Sequence, residues 1–176
     1  VTIAVDKNRC HGIDTLVEND KNIDVILLDD AFQHRYVKPG VNILLVDYHR
    51  LIIYDKLLPA GRLREPLSGT DRADIVIVTK CPKDLKPMEY RVITKAMSLY
   101  PYQQLFFTSI DYGKLQSVFL NTEETKELED VKDYHALLLT GIASPRQMTH
   151  DLSPLIPHLT PLTFSDHHDF KEKDVE

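Results

Sequence analysis

The chain has 176 residues, 43% of them apolar, which suits one ordinary domain, or one and a half small ones, with a packed core. Acidic residues outnumber basic ones 27 to 21, for a net charge of −6, which argues against a nucleic-acid partner that would need a basic face. Cys10 and Cys81 lie far apart without zinc spacing, so neither a disulfide framework nor a structural metal is implied, and no run reads as a signal peptide or approaches the ~20 apolar residues of a membrane span.

In chain order, residues 1–5 are strand-like, and Cys10, Ile13, Leu16 and Val17 recur at helical spacing. Residues 24–28, a short aliphatic run after Asp24, read as a buried parallel strand ending in Asp29 and Asp30. That is the shape of a strand whose terminal carboxylate holds Mg²⁺ against nucleotide phosphates, although two solvated aspartates at a plain turn would look the same. Residues 41–47 form a second buried strand, again ending in Asp, and residues 48–73 make a connection much longer than the usual ~4–6 residues, which marks a functional loop. Residues 73–79 are a third aliphatic strand. Cys81-Pro82 breaks the pattern, and a helix follows with Met88, Val92, Ile93, Ala96, Leu99 and Tyr100 on one side. Strand and helix alternate as in βαβ units.

Past Pro101 the segments 105–112 and 114–120 flank Gly113 and read as two long strands leading away from the parallel sheet. The acidic run 122–130 reads as a solvated connection. Residues 135–142 restart the alternation, with Ser144 as a cap and Pro145 at the first helical position, and residues 159–164 form a further strand.

Asp29 and Asp30 are the candidate metal ligands, with Asp30 favoured for catalysis. Gln33 and His34 follow on the loop, where they could position a phosphate or a substrate hydroxyl, or simply be surface residues on a turn. Arg62 and Arg64 alternate around Leu63, so both could offer forked donors to one phosphate, or form a structural salt bridge to Glu65. Thr79-Lys80, at the end of the third strand, could contact a nucleotide base, or simply be a strand ending in Lys, which is the reading kept; His49, His150 and His158 receive no role. The six glycines include no Gly-x-x-x-x-Gly-Lys-Ser/Thr loop, so the phosphate cradle is expected upstream of Val1 and the chain reads as a fragment.

Four stretches in order carry a family likeness: Asp29-Asp30-Ala31-Phe32-Gln33-His34, Leu58-Pro59-Ala60-Gly61-Arg62-Leu63-Arg64-Glu65-Pro66-Leu67, the strand from Arg72 to Thr79, and Asp166-His167-His168-Asp169-Phe170. Together they resemble the tetraacyldisaccharide 4′-kinase family, the lipid A 4′-kinases of Gram-negative bacteria. One departure is Ala31, where the family often has Gly, so that residue need not take positive φ.

The resemblance implies an α/β fold: a P-loop-NTPase-like, mostly parallel sheet with flanking helices, incomplete here, plus the start of a second α/β subdomain. Residues 1–108 are expected to be the later part of the kinase core, 109–133 an extended strand-pair linker, and 134–176 the start of the second subdomain. It further implies ATP and Mg²⁺ as cofactors and an acylated glucosamine disaccharide phosphate as acceptor. The expected location is the cytosolic side of the inner membrane, with contact made by parts outside these residues. The family's Phe-x-Asp-His pattern maps onto Phe164, Asp166 and His167. His167 is therefore expected to be catalytic, with an aspartate partner before Val1, and His168 to be a surface residue. Residues 1–176 alone are expected to be inactive. A non-catalytic α/β binding or regulatory module, or a metal-dependent phosphohydrolase, stands as the alternative.

Overall fold

Two runs of β-branched and aliphatic residues, Ile43–Asp47 (β1) and Ile75–Thr79 (β2), pair in parallel, and Gln104–Phe107 (β3) adds in parallel to the far side of β2. The sheet order is β1-β2-β3 in a computed structural model that describes residues 2–118, 125–171 and 174. Register puts Leu44, Val76 and Leu105 in one row and Val46, Val78 and Phe107 in the next, on the same face. That face is the core. Val46, Val76 and Val78 are fully buried and cluster with Ile93 and Met97 of helix α2 (Pro87–Met97), and with Cys81 and Leu85. Each buried valine contributes about 1.5–3 kcal/mol through apolar area removed from water. Pro87 starts α2 where its missing N–H costs nothing, and Ser98 ends it in the left-handed conformation at φ 48°.

The opposite face of the sheet carries Ile43, Leu45 and Phe106, all substantially exposed. Helix α1 (Arg9–Asn19) starts where the Asn8 side chain accepts the N–H groups of Cys10 and His11, and none of its residues is fully buried. The connection from β1 to β2 holds three short 3₁₀ turns, and Gln103 Nε2 fastens it by donating to the carbonyls of Thr70 and Ala73 at 2.9 and 2.8 Å.

Contacts divide the chain into two units, residues 1–110 and 111–176. In the second, the short strands Leu115–Gln116 (β4) and Thr125–Lys126 (β5) pair antiparallel. Ala136–Thr140 (β6) and Leu159–Thr163 (β7) pair in parallel, joined through helix α3 (Pro145–Leu152). Leu152 and Ile156 are its buried apolar residues. Among the described residues, no helix of the chain is long and apolar enough to cross a membrane.

Several expectations need correction. Residues 24–28 and 2–5 belong to no strand, with Ile3, Val5, Val25 and Leu27 all more than 70% exposed, and residue 1 lies outside the described residues. A strand exists only where a neighbour exchanges hydrogen bonds with it, and no strand of the sheet lies beside these runs. Residues 105–107 do not lead away from the parallel sheet but complete it as β3, because Phe107 and Leu105 extend the buried rows of β2. Lys114–Leu120 is not one long strand either: its described part supplies only β4. Within the acidic run, Thr125 and Lys126 form β5 and Leu128–Val131 is a 3₁₀ turn, while residues 122–124 lie outside the described residues. Ser144 occupies the cap position of α3 but its side chain makes no capping hydrogen bond.

Candidate active site

Asp29 and Asp30 lie side by side on an exposed turn. Asp30 takes the left-handed conformation at φ 45°, a strained choice for a residue with a side chain, and one that recurs at functional sites. The turn closes with the His34 N–H donating to the Ala31 carbonyl at 2.8 Å. Ala31 itself keeps negative φ, as expected, and it is Asp30 that carries the strain. Gln33 is exposed. The His34 ring packs edge-on to Tyr36, and its buried Nδ1 has no hydrogen-bond partner among the described residues.

Glu65 ties this turn to the Leu-Pro-Ala-Gly block. Its carboxylate accepts Arg72 Nη2 at 2.8 and 3.0 Å and Arg35 Nη2 at 3.2 Å. Arg72 also donates to the Phe32 carbonyl at 3.3 Å and lies over the Phe32 ring. Burial pushes the Glu65 carboxyl up, but the bonds from Arg72 and Arg35 outweigh it and hold the group below its ordinary value. A Cβ at Gly69 would stand 2.7 Å from Glu65 Cδ, so any other residue there would have to displace this carboxylate from its present position. The salt bridge weighed for Glu65 therefore goes to Arg35 and Arg72, not to Arg62 or Arg64, which both point outward on either side of the half-buried Leu63.

Arg62 lines a pocket of about 390 Å³ with His49, Arg50, Leu51, Tyr54, Asp55 and Gly61. Asp55, unremarked in the sequence, accepts Arg50 Nε and Nη2 at 3.1 and 2.6 Å and the N–H groups of Lys56 and Arg62 at 2.8 and 3.1 Å. The hydrogen bonds from Arg50 and the two backbone donors lower its pKa to about 2. At the carboxyl ends of β1 and β2, Lys80 Nζ donates to Asp47 Oδ2 at 2.6 Å, with Lys80 left-handed at φ 58°. Lys80 is thus a latch across two strand ends. No spacing rule joins residues 47 and 80, and only the strand register could have paired them.

In the second unit, His167 is left-handed at φ 55°. Its N–H donates to the Gly141 carbonyl at 3.0 Å, and its side chain is 95% exposed, 3.9 Å from Asp166. His168 is not the surface residue expected. It is three-quarters buried, stacks on Phe164 and bonds Asp174 Oδ2 at 2.9 Å, which holds that carboxyl below its ordinary value. Phe170 and His168 pack closely over Gly141, where a Cβ would stand 3.1 Å from the Phe170 ring and 3.4 Å from His168 Cβ.

Asp29 and Asp30 fit a divalent cation such as Mg²⁺, which takes one or two carboxylates and fills its remaining positions with phosphate oxygens and water. Among the described residues, no group of three His, Cys, Asp or Glu could form a closed cage instead.

The family model described as tetraacyldisaccharide-1-P 4′-kinase matches residues 1–176. A Phocaeicola vulgatus protein named tetraacyldisaccharide 4′-kinase is 60% identical, covering 100% of this chain and 49% of its own length. Proteins of the same name from Bacteroides thetaiotaomicron and Bacteroides fragilis are 53% and 52% identical, each covered over 48% of its length by 100% and 99% of this chain. The chain spans about half the length of the curated relatives it matches. No solved structure matches.

Proposed function

Because the chain belongs to the tetraacyldisaccharide-1-P 4′-kinase family, we propose that in the whole protein these residues serve transfer of the ATP γ-phosphoryl group to the 4′-hydroxyl of an acylated glucosamine disaccharide 1-phosphate. The acceptor is a lipid A precursor, met at the cytosolic face of the inner membrane. The observation that carries this reading is the exposed, strained Asp29-Asp30 turn held against the Leu-Pro-Ala-Gly block by Glu65. Asp30, with Asp29, would hold Mg²⁺, which would neutralise charge developing on the transferred group. Gln33 and His34 face the phosphates or the acceptor hydroxyl, and Arg62 and Arg64 offer guanidinium forks to the acceptor's phosphate. His167, with its imidazole exposed beside Asp166 and its backbone pinned by Gly141, takes the acceptor's proton.

Residues 1–108 then serve the nucleotide and metal, residues 109–133 link onward, and His167 belongs to a subdomain that begins at residue 134. Residues 1–176 alone hold no glycine-rich phosphate cradle and are expected not to turn over ATP.

The test is turnover of the full-length protein. Asp30→Asn keeps shape and removes charge, so kcat should collapse while circular dichroism stays unchanged. His167→Ala should cost the ~10²–10⁴-fold of a general acid–base residue, and His168→Ala should act through stability instead. Wild-type kcat in Asp30→Asn would return Asp30 to plain turn structure, and a kcat defect confined to His168→Ala would reverse the histidine assignment.

A further inference from the structure

We propose that Asp55 is a positioning residue that presents Arg62 to the phosphate monoester of the lipid acceptor, an inference resting on the reading of Arg62 given above. The loop between Asp55 and Leu63 is built around this one carboxylate. Oδ1 gathers the N–H groups of Lys56 and Arg62, from the two ends of the loop, and Oδ2 grips the edge of the Arg50 guanidinium. Three backbone bonds finish the closure: Leu63 N–H to Lys56 O, Leu58 N–H to Leu63 O and Gly61 N–H to Leu57 O, each 3.0 Å. Gly61 has no space for a side chain, since its Cβ would overlap the Lys56 carbonyl and stand 2.5 Å from Asp55 Oδ1.

The Arg62 backbone is thereby fixed while its side chain stays exposed at the edge of the pocket, beside His49 and Arg50. A guanidinium on a fixed backbone loses less entropy on gripping an anion than one on a mobile loop. Charge agrees with the assignment. Asp55 neutralises one of the two arginines, so the pocket is left with net positive charge and a set of N–H donors, suited to a phosphate oxygen and to no cation.

The test is steady-state kinetics of the full-length protein, varying lipid acceptor and ATP separately. Loss of a charge-assisted hydrogen bond should raise the acceptor KM about tenfold or more in Arg62→Ala. Asp55→Asn keeps one acceptor oxygen where two are needed, so its N–H₂ faces either the loop N–H groups or Arg50, and it should do the same with kcat and the ATP KM little changed. The double variant should be no worse than Arg62→Ala alone, because both changes remove one contact. Gly61→Ala deforms the same loop without touching charge and should reproduce the pattern, which keeps the test open if Asp55→Asn does not fold.

An acceptor KM unchanged in Arg62→Ala sinks the reading of Arg62 and this inference with it. A raised KM in Arg62→Ala with a normal one in both Asp55→Asn and Gly61→Ala sinks the inference alone, as do additive effects in the double variant. A rise in ATP KM in place of acceptor KM assigns the pocket to nucleotide phosphate and overturns the proposal.

Discussion

Replacing Glu65 by Gln keeps the side chain's shape and removes the charge that joins the Asp29-Asp30 turn to the Leu-Pro-Ala-Gly block. The Arg35 side chain is 68% exposed, so its pair with Glu65 contributes at most ~1 kcal/mol. Arg72 is 32% exposed and Glu65 19%, so their two short contacts are less screened. Hydrogen bonds to a charged group contribute about 1.5–3 kcal/mol, and solvent takes part of that. A loss of about 2 kcal/mol in total corresponds to about thirtyfold in the opening equilibrium of the tied segments. Amide hydrogen exchange reads this directly. The His34 N–H, bonded to Ala31 O, and the Gly69 N–H, bonded to Pro66 O, lie on opposite sides of the tie. Both should lose protection by about ten- to thirtyfold in Glu65→Gln, and amides of β2 should not change. Arg35→Ala should cost no more than about fivefold at the same amides. Unaltered protection at His34 and Gly69 would refute the claim that Glu65 joins the two loops.

Two further outcomes are expected. Val78→Ala removes two methyl groups from a fully buried site in the middle strand, so it should lower unfolding free energy by about 2–3 kcal/mol, seen as a lower denaturant midpoint; a loss under about 0.5 kcal/mol would mean the core collapses onto the gap. The His11 ring, 2.6 Å from the Asp6 carboxylate, has its pKa raised by that hydrogen bond. Its contribution to stability is therefore present below the ordinary histidine pKa of about 6.5 and fades as pH rises through the folded value. An NMR titration should place its midpoint above that of Asp6→Asn, and equal midpoints would remove the pair.

The sequence made β1, β2 and α2 legible because their burial is set by local runs: uninterrupted aliphatics for strands covered by a helix, and a 3.6-residue stripe for α2. The Asp24–Leu28 run satisfied the same rule and still forms no strand, since pairing depends on a neighbour that composition cannot supply. Leu105 and Phe107 were read as departing from the sheet because Gly113 and the polar residues after them look like a hairpin. Only the register with Val76 and Val78 reveals them as core. At the site, the exposed aspartates and arginines were legible as residue types. Their supports were not. Glu65 reaches across to Arg35, Asp55 closes a loop on Arg62, and Lys80 meets Asp47 over distances in sequence that no periodicity encodes. The burial of His168 comes from Phe164, Phe170 and Asp174 gathering around its ring, which adjacency to His167 does not reveal.

The order of β1, β2 and β3 in the sheet is their order in the chain, which governs how the sheet can be assembled. Each strand has only to find the one made just before it, across loops of similar length, so the entropy of closure is alike at each step and no strand must be inserted between two already paired. A nascent chain emerging from the ribosome could add β2 to β1 and β3 to β2 by accretion, with every partner already present once Phe107 has cleared the exit tunnel. Growth of this kind leaves the outer edges of both β1 and β3 unpaired among the described residues, each a place where a further strand can add.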